Sequence, residues 1–450
     1  MIRLRLSEAA ALLQAAWQGP DVQFNGLCTD TRKLSMDALF VALKGPSHDG
    51  QDYAAAAIAQ GAAAALVSRP LAQEQPCIVV PDPRVALGRL SALWRDRFNP
   101  LCVGITGSNG KTTVKDMLAA ILARKDSVLA NQGNLNNDIG LPLTLARLSA
   151  EHRYLITEMG ANHPGEIAAL AALAKPRFGI ITLIAPAHLE GFGSVAAIAR
   201  AKGELLTALP DTGVAIVNAD DAYQELWCEL GAGKRLLRFG FSATADVIVD
   251  ACPEADSTLL RLTTPVGPLD LRLALAGRHN ALNAAAASCA ALALNIEPDQ
   301  IISGLESVQP VHGRLQPRRA SNGMRILDDS YNASPQSLRA GLEVLAAYPA
   351  PRALIFADML ELGDQAGAAH SEAGRLARRL GIERLFATGP LSRITTDEFG
   401  EGAAHFNDQA QLIKAIGKHL DPSMTVLIKG SRSMHMENVV RALTGDRPCC

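Results

Sequence analysis

GITGSNGKTT, residues 104–113, follows the apolar residues LCV. The run LCVGIT is typical of a buried strand, and the residues after the loop are typical of an amphipathic helix. In this context, glycines let backbone N–H groups turn inward, and the N-terminus of the helix favours negative charge. The stretch therefore predicts a phosphate-binding loop. The apolar face of the following helix comprises Val114, Met117, Leu118 and Ile121.

The loop has the short pattern G-x-x-G-K-T. The full pattern G-x-x-x-x-G-K-[ST] is not met, because Ile105 stands where its first glycine belongs. The alternative is an ordinary strand–helix turn, but Lys-Thr-Thr in this position favours the phosphate loop. Lys111 would reach the β- and γ-phosphates of a nucleotide, and the Thr112 hydroxyl would bind Mg²⁺. The candidate nucleotide-binding residues of the loop are Gly107, Ser108, Asn109, Gly110, Lys111, Thr112 and Thr113.

Short apolar runs alternate with helical patterns from residue 101 onward. The runs are LCVGIT, RYLITE, RFGIITLI and GVAIVN. This alternation is typical of a parallel sheet with helices on its faces, so an α/β fold is predicted. Residues 241–275 break the pattern, because ADVIVDA, STLLRLTT and LDLRLAL alternate as antiparallel strands do.

Three domains are predicted from these patterns. Residues 1–82 form a small α/β unit with the strands LFVAL, AAAALV and CIVV, and residues 83–313 hold the central parallel sheet. Residues 314–450 form a second α/β domain of ordinary size, because MRILDD, RALIFA, RLFAT and TVLIK again alternate with helices.

Composition narrows the class of protein. The chain has 450 residues with 48% hydrophobic residues, 20% charged residues and a formal charge of -2, which gives no bulk electrostatic case for nucleic acid or an anionic membrane. The eight cysteines form no C-x-x-C pair and indicate reduced thiols. The sequence shows neither a signal peptide nor an apolar run of about 18 residues. We therefore expect a cytoplasmic protein that neither binds nucleic acid nor inserts into membranes.

Polar side chains follow several of the predicted central strands. Glu158 ends an apolar run, so it would face the phosphates and could bind Mg²⁺; the alternative is a helix-capping or solvated carboxylate. His188 leaves the next strand on a loop, and Asn218 and Asp220 follow a third strand at the same edge. A lone histidine is more often structural than a ligand, but this position favours a site. From the residues alone, Lys202 is interpreted as a surface lysine that pairs with Glu204 or solvent.

The chain resembles the Mur ligases of peptidoglycan synthesis. The similar segments occur in family order and extend from CTDTRKL near residue 28 to KGSRSMHMENVV near residue 440. Between them lie GITGSNGKTT, NLNNDIGLPLTL, EMGANHPGEI, APAHLEGFGS with ARAKGEL, GRHNALNA, HGRL and DDSYNASPQS. The resemblance implies a UDP-sugar domain, a central P-loop ATPase domain and a C-terminal Rossmann-like domain.

The resemblance also implies a reaction. AHLEGFGS, DDSYNASPQS, DMLELGD and KGSRSMHME are similar to the family member that joins D-alanyl-D-alanine to UDP-MurNAc-tripeptide. In that reaction ATP phosphorylates the peptide carboxylate, and the dipeptide amine attacks the acyl phosphate. A related member that adds the third amino acid carries a DNPR segment, and this chain has none. A monomer is expected.

The family's catalytic residues match Lys111, His188, Lys202 and Arg314. The resemblance implies one Mg²⁺ held by Thr112 and Glu158 and a second Mg²⁺ held by His188. It also implies that Lys202 is carbamylated by CO₂ and serves beside the metal, which reverses the interpretation from the residues alone.

Further residues match binding positions of the family. Asn280 and Asn283 match positions around the adenine of ATP, Arg314 matches an arginine that reaches the γ-phosphate, and Asp328 and Asp329 match the region that meets the ribose. The expected substrate-binding residues are Thr31, Arg32, Gly45, His48 and Asp49 for the uridine diphosphate, Tyr331 and Asn332 on the loop after the ribose region, and Ser431 and Arg432 for the incoming dipeptide or the nucleotide.

Other functions stay open at this point. One alternative is a sister ligase that adds a different residue, or an enzyme similar to folylpolyglutamate synthase with the same ATPase core. Another is a nucleotide switch or binding protein without a ligase substrate. The N-terminal UDP-type domain disfavours the folate enzyme, and the residues Glu158, His188 and Lys202 exceed what a simple switch needs.

Overall fold

The computed structural model describes residues 1–72, 74–187 and 189–446. Three of its four sheets are mixed sheets with helices on their faces, and the fourth is the antiparallel β1–β3 pair, so the predicted α/β class is confirmed. Within the described ranges, none of the helices combines the length and the apolar character that crossing a bilayer requires.

The N-terminal part contains a five-stranded sheet in the order β2-β7-β6-β5-β4 and a separate β1–β3 pair. The predicted strands at 39–43, 62–67 and 77–80 are β5, β6 and β7. The elements are β1 (Arg3–Arg5), α1 (Leu6–Leu13), β2 (Ala16–Gln18), β3 (Gln23–Asn25), β4 (Leu27–Cys28), β5 (Leu39–Val41), α2 (Ala54–Ala59), β6 (Ala64–Val67), β7 (Cys77–Val79) and α3 (Pro83–Arg95).

The central sheet has nine strands in the order β16-β15-β14-β13-β12-β11-β8-β10-β9. Strands β8 to β14 pair in parallel, and β14, β15 and β16 pair antiparallel, so the predicted antiparallel strands extend the parallel sheet. The strands are β8 (Leu101–Thr106), β9 (Val128–Ala130), β10 (Tyr154–Glu158), β11 (Phe178–Ile181), β12 (Val214–Asn218), β13 (Arg235–Gly240), β14 (Val247–Pro253), β15 (Thr258–Thr264) and β16 (Gly267–Leu273).

Helices cover both faces of the central sheet. They are α4 (Lys111–Leu122), α5 (Gly140–Leu145), α6 (Glu166–Ala174), α7 (Leu189–Phe192), α8 (Val195–Thr207), α9 (Gln224–Leu230), α10 (Arg278–Ala293) and α11 (Pro298–Glu306). The four apolar residues predicted for the face of α4 are all fully buried, in one core with α10 and α11.

The C-terminal sheet has six strands in the order β17-β18-β22-β19-β20-β21, and all neighbours except β17 and β18 are parallel. The elements are β17 (Gln316–Arg319), β18 (Arg325–Asp329), α12 (Pro335–Ala346), β19 (Arg352–Ala357), α13 (Ala366–Arg379), β20 (Arg384–Thr388), α14 (Ser392–Phe399), β21 (Ala403–Phe406), α15 (Gln409–His419), β22 (Thr425–Lys429) and α16 (Glu437–Thr444).

The close approach of α11 to α4 supports the position of the phosphate loop. A Cβ atom added at Gly304 would lie 2.5 Å from the Cα atom of Ile121, which is backbone and cannot move aside easily. The missing side chain at Gly304 therefore lets the two helices meet, and α4 begins at the loop residue Lys111.

We expect Gly304→Ala to lower the stability of the central part by about 1–3 kcal/mol, because overpacking forces α11 away from α4. Each kcal/mol should lower the melting temperature by about 2–4 °C for a unit of this size. Gly367→Ala is the matched control, because a Cβ atom at this helical glycine meets no atom within 4 Å among the described residues. Equal melting temperatures for both variants would contradict the packing argument.

Candidate active site

A cavity of about 770 Å³ lies where the carboxyl ends of β8 and β10 face the C-terminal sheet. It brings together residues that are more than 200 positions apart in the sequence. The predicted site residues that line it are Ser108, Asn109, Gly110, Lys111, Thr112, Thr113, Glu158, Lys202, Asn280, Asn283, Arg314, Asp329, Tyr331 and Asn332.

The glycine-rich loop forms the floor of this cavity. Gly110 has a φ of 84° and precedes α4, and a Cβ atom there would collide with the side chain of Asn283. The Lys111 ammonium donates to the carbonyl oxygens of Gly107 at 2.7 Å and Ser108 at 3.3 Å. Burial lowers the pKa of Lys111, while the Glu158 carboxylate opposes that shift. The loop is thus shaped around a cation that phosphate oxygens could engage.

Glu158 is a buried carboxylate at the end of β10, with only 3% of its surface exposed. The Thr112 hydroxyl donates to Oε2 at 2.8 Å, and the Asn136 amide donates to Oε1 at 2.8 Å. Arg314 reaches from the other side of the cavity and donates to the Thr112 hydroxyl oxygen at 3.0 Å. The sequence prediction that Glu158 faces the phosphate loop therefore agrees with its position.

The donor set at Thr112 and Glu158 fits a magnesium ion. Both groups offer hard oxygen atoms, which Mg²⁺ prefers. Among the described residues no group of three or more His, Cys, Asp or Glu side chains lies close enough to hold a metal. Mg²⁺ at nucleotide sites is usually bound by one or two carboxylates together with phosphate oxygens and water, and Thr112 with Glu158 would fit that pattern. His188, the predicted ligand of a second ion, lies outside the described residues.

Lys202 is not a surface residue, so its interpretation from the residues alone is wrong. It is only 2% exposed, and its ammonium lies 3.5 Å from the Ala161 carbonyl oxygen and 5.6 Å from the centre of the Phe192 ring. Glu204 does not pair with it, because that carboxylate accepts the N–H groups of Gly165 and Ala168.

The surroundings of Lys202 make its amine easy to deprotonate. Burial lowers its pKa to about 7, and the positive charge of Lys111 acts in the same direction. The carboxylates of Glu166 and Glu204 oppose the shift. A substantial fraction of Lys202 therefore carries a neutral, nucleophilic amine at neutral pH.

Two predicted strand-end residues do not reach the cavity. Asn218 and Asp220 are absent from its lining. Asp220 accepts the backbone N–H groups of Phe241 and Ser242, so it orders the turn after β13. Asn218 donates to the Thr182 carbonyl oxygen at 3.5 Å. β12 lies beyond β11 in the sheet, which separates its end from the phosphate loop.

The start of α10 forms one wall of the cavity. The Asn280 amide donates to the Ala276 carbonyl oxygen at 2.8 Å, and Asn283 donates to Asn280 at 3.3 Å. His279 lies beside them, and burial together with the charge of Lys429 lowers its pKa to about 4. This wall is polar and carries no net charge at neutral pH, which suits the base of a nucleotide.

The loop after β18 forms the opposite wall. The Asp329 carboxylate accepts the ammonium of buried Lys429 at 2.5 Å and the Leu315 N–H at 3.2 Å. Burial raises the pKa of Asp329, and the Lys429 charge opposes that shift. Asp328 is fully buried, accepts the Ser330 hydroxyl at 2.6 Å and does not line the cavity. Of the two predicted aspartates, Asp329 is therefore the one that faces the site.

Two arginines lie near the ring of Tyr331, and Arg314 is the one of them that lines the cavity. The Arg314 guanidinium is 4.3 Å from the centre of the ring, and the Arg432 guanidinium is 5.7 Å away. The Arg432 guanidinium also donates to the Glu437 carboxylate at 3.1 Å. The backbone N–H of Arg432 donates to the side-chain oxygen of Asn332 at 3.2 Å. Cations of this kind are stabilised by the face of an aromatic ring.

The remaining predicted substrate residues lie outside the cavity lining. In the N-terminal part, the Arg32 guanidinium pairs with Asp30 at 2.8 Å, and Gly45 N–H donates to the His48 carbonyl oxygen at 2.8 Å. Thr31 begins a 3-10 helix beside Arg32, and Asp49 caps another such helix. In the C-terminal part, the Ser431 hydroxyl oxygen accepts the Leu360 N–H at 2.8 Å.

Sequence reasoning missed several residues of the site, and four of them contact or flank predicted ones. These are Asn131 and Asn136 near Glu158, Lys429 behind Asp329, and Arg84, which lines the cavity and pairs with Asp138. Asparagines in a loop and a lysine at the end of a strand carry no local signal for such roles.

The amino-acid sequence matches three protein-family models, all of them for domains of Mur ligases. The catalytic domain of the Mur ligase family matches residues 23–95, the Mur ligase middle domain matches residues 105–291, and the Mur ligase glutamate ligase domain matches residues 313–432.

Relatives match over nearly the full chain. The UDP-N-acetylmuramoyl-tripeptide–D-alanyl-D-alanine ligase of Escherichia coli K12 is 42% identical over 100% of both chains. The ligase of the same name from Mycobacterium tuberculosis H37Rv is 34% identical over 93% of this chain and 92% of its own.

Solved structures have a similar fold. MurF from Acinetobacter baumannii superposes with a TM-score of 0.93 at 34% identity, covering 99% of this chain and 100% of its own. MurF ligase from Thermotoga maritima in complex with ADP has a TM-score of 0.84 at 27% identity, covering 94% and 97%.

Acid should destabilise the protein through His279. Its folded pKa of about 4 lies below the usual value of 6.5, so unfolding takes up a proton between these pH values. The contribution of His279 to the free energy of unfolding is therefore fully present above pH 6.5. It is lost as the pH falls toward 4, at up to about 1.4 kcal/mol per pH unit. We expect His279→Gln to remove this loss, which melting curves from pH 8 to pH 4 would measure.

The difference in melting temperature between His279→Gln and the parent chain should be constant above pH 7 and should grow in favour of the variant below pH 6. A difference that stays constant down to pH 4 would contradict the neutral state of His279 in the folded protein.

Proposed function

The chain belongs to the Mur ligase family, and we propose that it uses ATP to join D-alanyl-D-alanine to UDP-N-acetylmuramoyl-tripeptide in peptidoglycan synthesis. The observation that carries this proposal is the 42% identity to the ligase of that name over the full length of both chains. The cavity supports it, because it places a phosphate loop and a buried carboxylate within one space.

The reaction has two displacement steps. An oxygen of the tripeptide carboxylate bonds to the γ-phosphorus, and the bond from that phosphorus to the leaving ADP oxygen breaks. The amine nitrogen of the dipeptide then bonds to the acyl carbon, the acyl C–O bond breaks, inorganic phosphate leaves and the amine loses a proton. Both steps bring negative or electron-rich groups together, so fixed cations must offset their repulsion.

Residues of two walls would share the phosphoryl transfer. Lys111 would release its loop carbonyls and bind the β- and γ-phosphates, with the loop N–H groups from Gly107 to Thr113 around them. Arg314 would stabilise the charge that develops on the γ-phosphate. Asn280 and Asn283 would contact the adenine, and the Asp329 carboxylate would accept hydrogen bonds from the ribose hydroxyls.

Two magnesium sites are part of the proposal. Thr112 and Glu158 would hold one ion, and His188 with a carbamylated Lys202 would hold another. Bound Mg²⁺ would withdraw charge from the phosphate oxygens and the substrate carboxylate. The hard oxygens of Thr112 and Glu158 support the first site.

Carbamylation of Lys202 is chemically reasonable in this position. A neutral amine can attack the carbon of CO₂ and then lose a proton, which yields a carbamate anion. The pKa of about 7 supplies that neutral amine. The reaction would convert a buried neutral amine into an anion beside a metal, which suits a metal ligand.

The residues proposed to bind the UDP-sugar and the dipeptide are those that match the binding motifs of the family. We propose that Thr31, Arg32, Gly45, His48 and Asp49 bind the uridine diphosphate, because an arginine matches diphosphate geometry well. Tyr331, Asn332, Ser431 and Arg432 would meet the dipeptide or the nucleotide.

We further propose that the chain divides into domains at 1–82, 83–313 and 314–450, that it is a monomer and that it acts in the cytoplasm.

Phosphate release tests the function directly. We expect release from ATP and Mg²⁺ only when UDP-MurNAc-tripeptide and D-alanyl-D-alanine are both present, with a product heavier by the dipeptide in mass spectrometry. Release that responds to a single amino acid instead of the dipeptide would assign the chain to a sister ligase. Release that ignores every UDP-sugar would leave an ATPase or switch.

Lys202→Ala tests the carbamate. We expect it to lose most activity, because the metal loses an anionic ligand, and short-chain carboxylates should restore part of it. Lys175→Ala is the matched control, since that side chain is 61% exposed and pairs with Asp96. Full activity of Lys202→Ala would disprove the role.

A further inference from the structure

Asn131 holds the backbone of Glu158 from the side. Its side-chain oxygen accepts the Glu158 N–H at 2.7 Å, and its amide donates to the Glu158 carbonyl oxygen at 3.1 Å. β9 ends at Ala130, so the Asn131 side chain continues the hydrogen bonding of the β9–β10 ladder by one more step. Both backbone groups of Glu158 on this side are therefore fixed by one buried side chain, which is 3% exposed.

Asn136 holds the carboxylate of the same residue. Its amide donates to Oε1, while the Thr112 hydroxyl donates to Oε2, both at 2.8 Å. The Asn136 carbonyl oxygen also accepts the Gly160 N–H at 2.9 Å, just beyond the end of β10. Among the described residues, each carboxylate oxygen has one hydrogen-bond donor and keeps a lone pair for a further partner.

The loop that carries both asparagines is itself anchored. Asn131 donates to the Leu135 carbonyl oxygen at 2.7 Å, which closes the loop on itself. Lys115, a 3% exposed residue of α4, donates to the Asn131 carbonyl oxygen at 3.0 Å. Asn137 accepts the Gly140 N–H at 2.9 Å at the start of α5. These bonds leave Asn136 little freedom to move away from Glu158.

From this geometry we propose that Asn131 and Asn136 are positioning residues that aim the Glu158 carboxylate at the metal bound by Thr112. The inference rests on the proposed function, because it takes Glu158 as a Mg²⁺ ligand. Mg²⁺ demands near-ideal octahedral geometry, so a carboxylate that can rotate binds it less well. Residues that orient a metal ligand by hydrogen bonds typically contribute about 10- to 100-fold to metal affinity or activity.

Magnesium-dependent binding of ADP measures this role without turnover. The full chain is titrated with Mg²⁺ in the presence of ADP, and ADP affinity is measured by calorimetry with and without the metal. The Mg²⁺ midpoint is the Mg²⁺ concentration that gives half of the metal-dependent gain in ADP affinity. We expect Asn136→Ala to raise this midpoint about 10- to 100-fold. Its affinity for ADP without Mg²⁺ should not change, because neither asparagine belongs to the phosphate loop.

Three further variants make the result specific. Gln132→Ala is the matched control, since this exposed side chain lies in the same loop and outside the cavity lining. Asn131→Asp keeps the acceptor for the Glu158 N–H but loses the amide donor, so it should also raise the midpoint. Glu158→Gln reports whether Glu158 binds the metal at all.

The outcomes separate the inference from the function on which it rests. A midpoint that rises for Glu158→Gln, Asn136→Ala and Asn131→Asp, but not for Gln132→Ala, supports the positioning role. A rise for Glu158→Gln alone would overturn the positioning role and leave the metal site standing. No rise for Glu158→Gln would overturn the metal role and the inference together. Equal rises for Asn136→Ala and Gln132→Ala would indicate general damage to the loop and would also overturn it.

Discussion

A buried carboxylate needs partners, and the burial of Glu158 at the end of β10 is the constraint on which the site depends. A carboxylate removed from water without hydrogen bonds is strongly destabilised. Here parallel pairing of β8 and β10 places Glu158 level with Ile105, so the loop after β8 returns Thr112 to within 2.8 Å of the carboxylate. The order of strands thus determines which donors are available, and the loop and α4 satisfy the charge.

The C-terminal part completes the same network from outside the central sheet. Arg314 donates to the Thr112 hydroxyl oxygen, and its guanidinium stacks on Tyr331 of the loop after β18. Asn109 of the phosphate loop also meets Ser334 and Gln336 at the start of α12, both at 3.4 Å. The cavity therefore has its full set of cations only when the central and C-terminal sheets face each other, so domain position and charge balance are coupled.

The sequence predicted those features that follow from periodicity. The glycine-rich loop, the alternation of strands with helices and the carboxylate at a strand end each follow from local patterns, and the α/β class and three-domain Mur ligase architecture are confirmed. Lys202 was misjudged from its residues alone, because a lysine in an amphipathic helix normally faces water. Its burial depends on Phe192 at the end of α7 and on the loop at Ala161, neither of which belongs to the helix that carries Lys202.

Asn131, Asn136 and Lys429 could not be found in this way. An asparagine in a loop most often orders its own turn, and only the three-dimensional pairing of β9 with β10 brings Asn131 to the backbone of Glu158. Lys429 ends an apolar strand as Glu158 does, yet it is buried against Asp329 and serves that carboxylate. The same local pattern therefore gives a carboxylate held by hydrogen bonds in one sheet and an ion-paired lysine in the other, and both groups line the cavity.

The position of Lys202 also limits how a carbamate would lie. The face of an aromatic ring is negative, so the Phe192 ring at 5.6 Å attracts an ammonium and repels an anion. Conversion of the amine to a carbamate would reverse the sign of this contact and would likewise turn the repulsion by Lys111 into attraction. Under the proposed carbamylation, both changes favour an end group turned away from Phe192 and toward the phosphate loop, where a metal ligand would be needed.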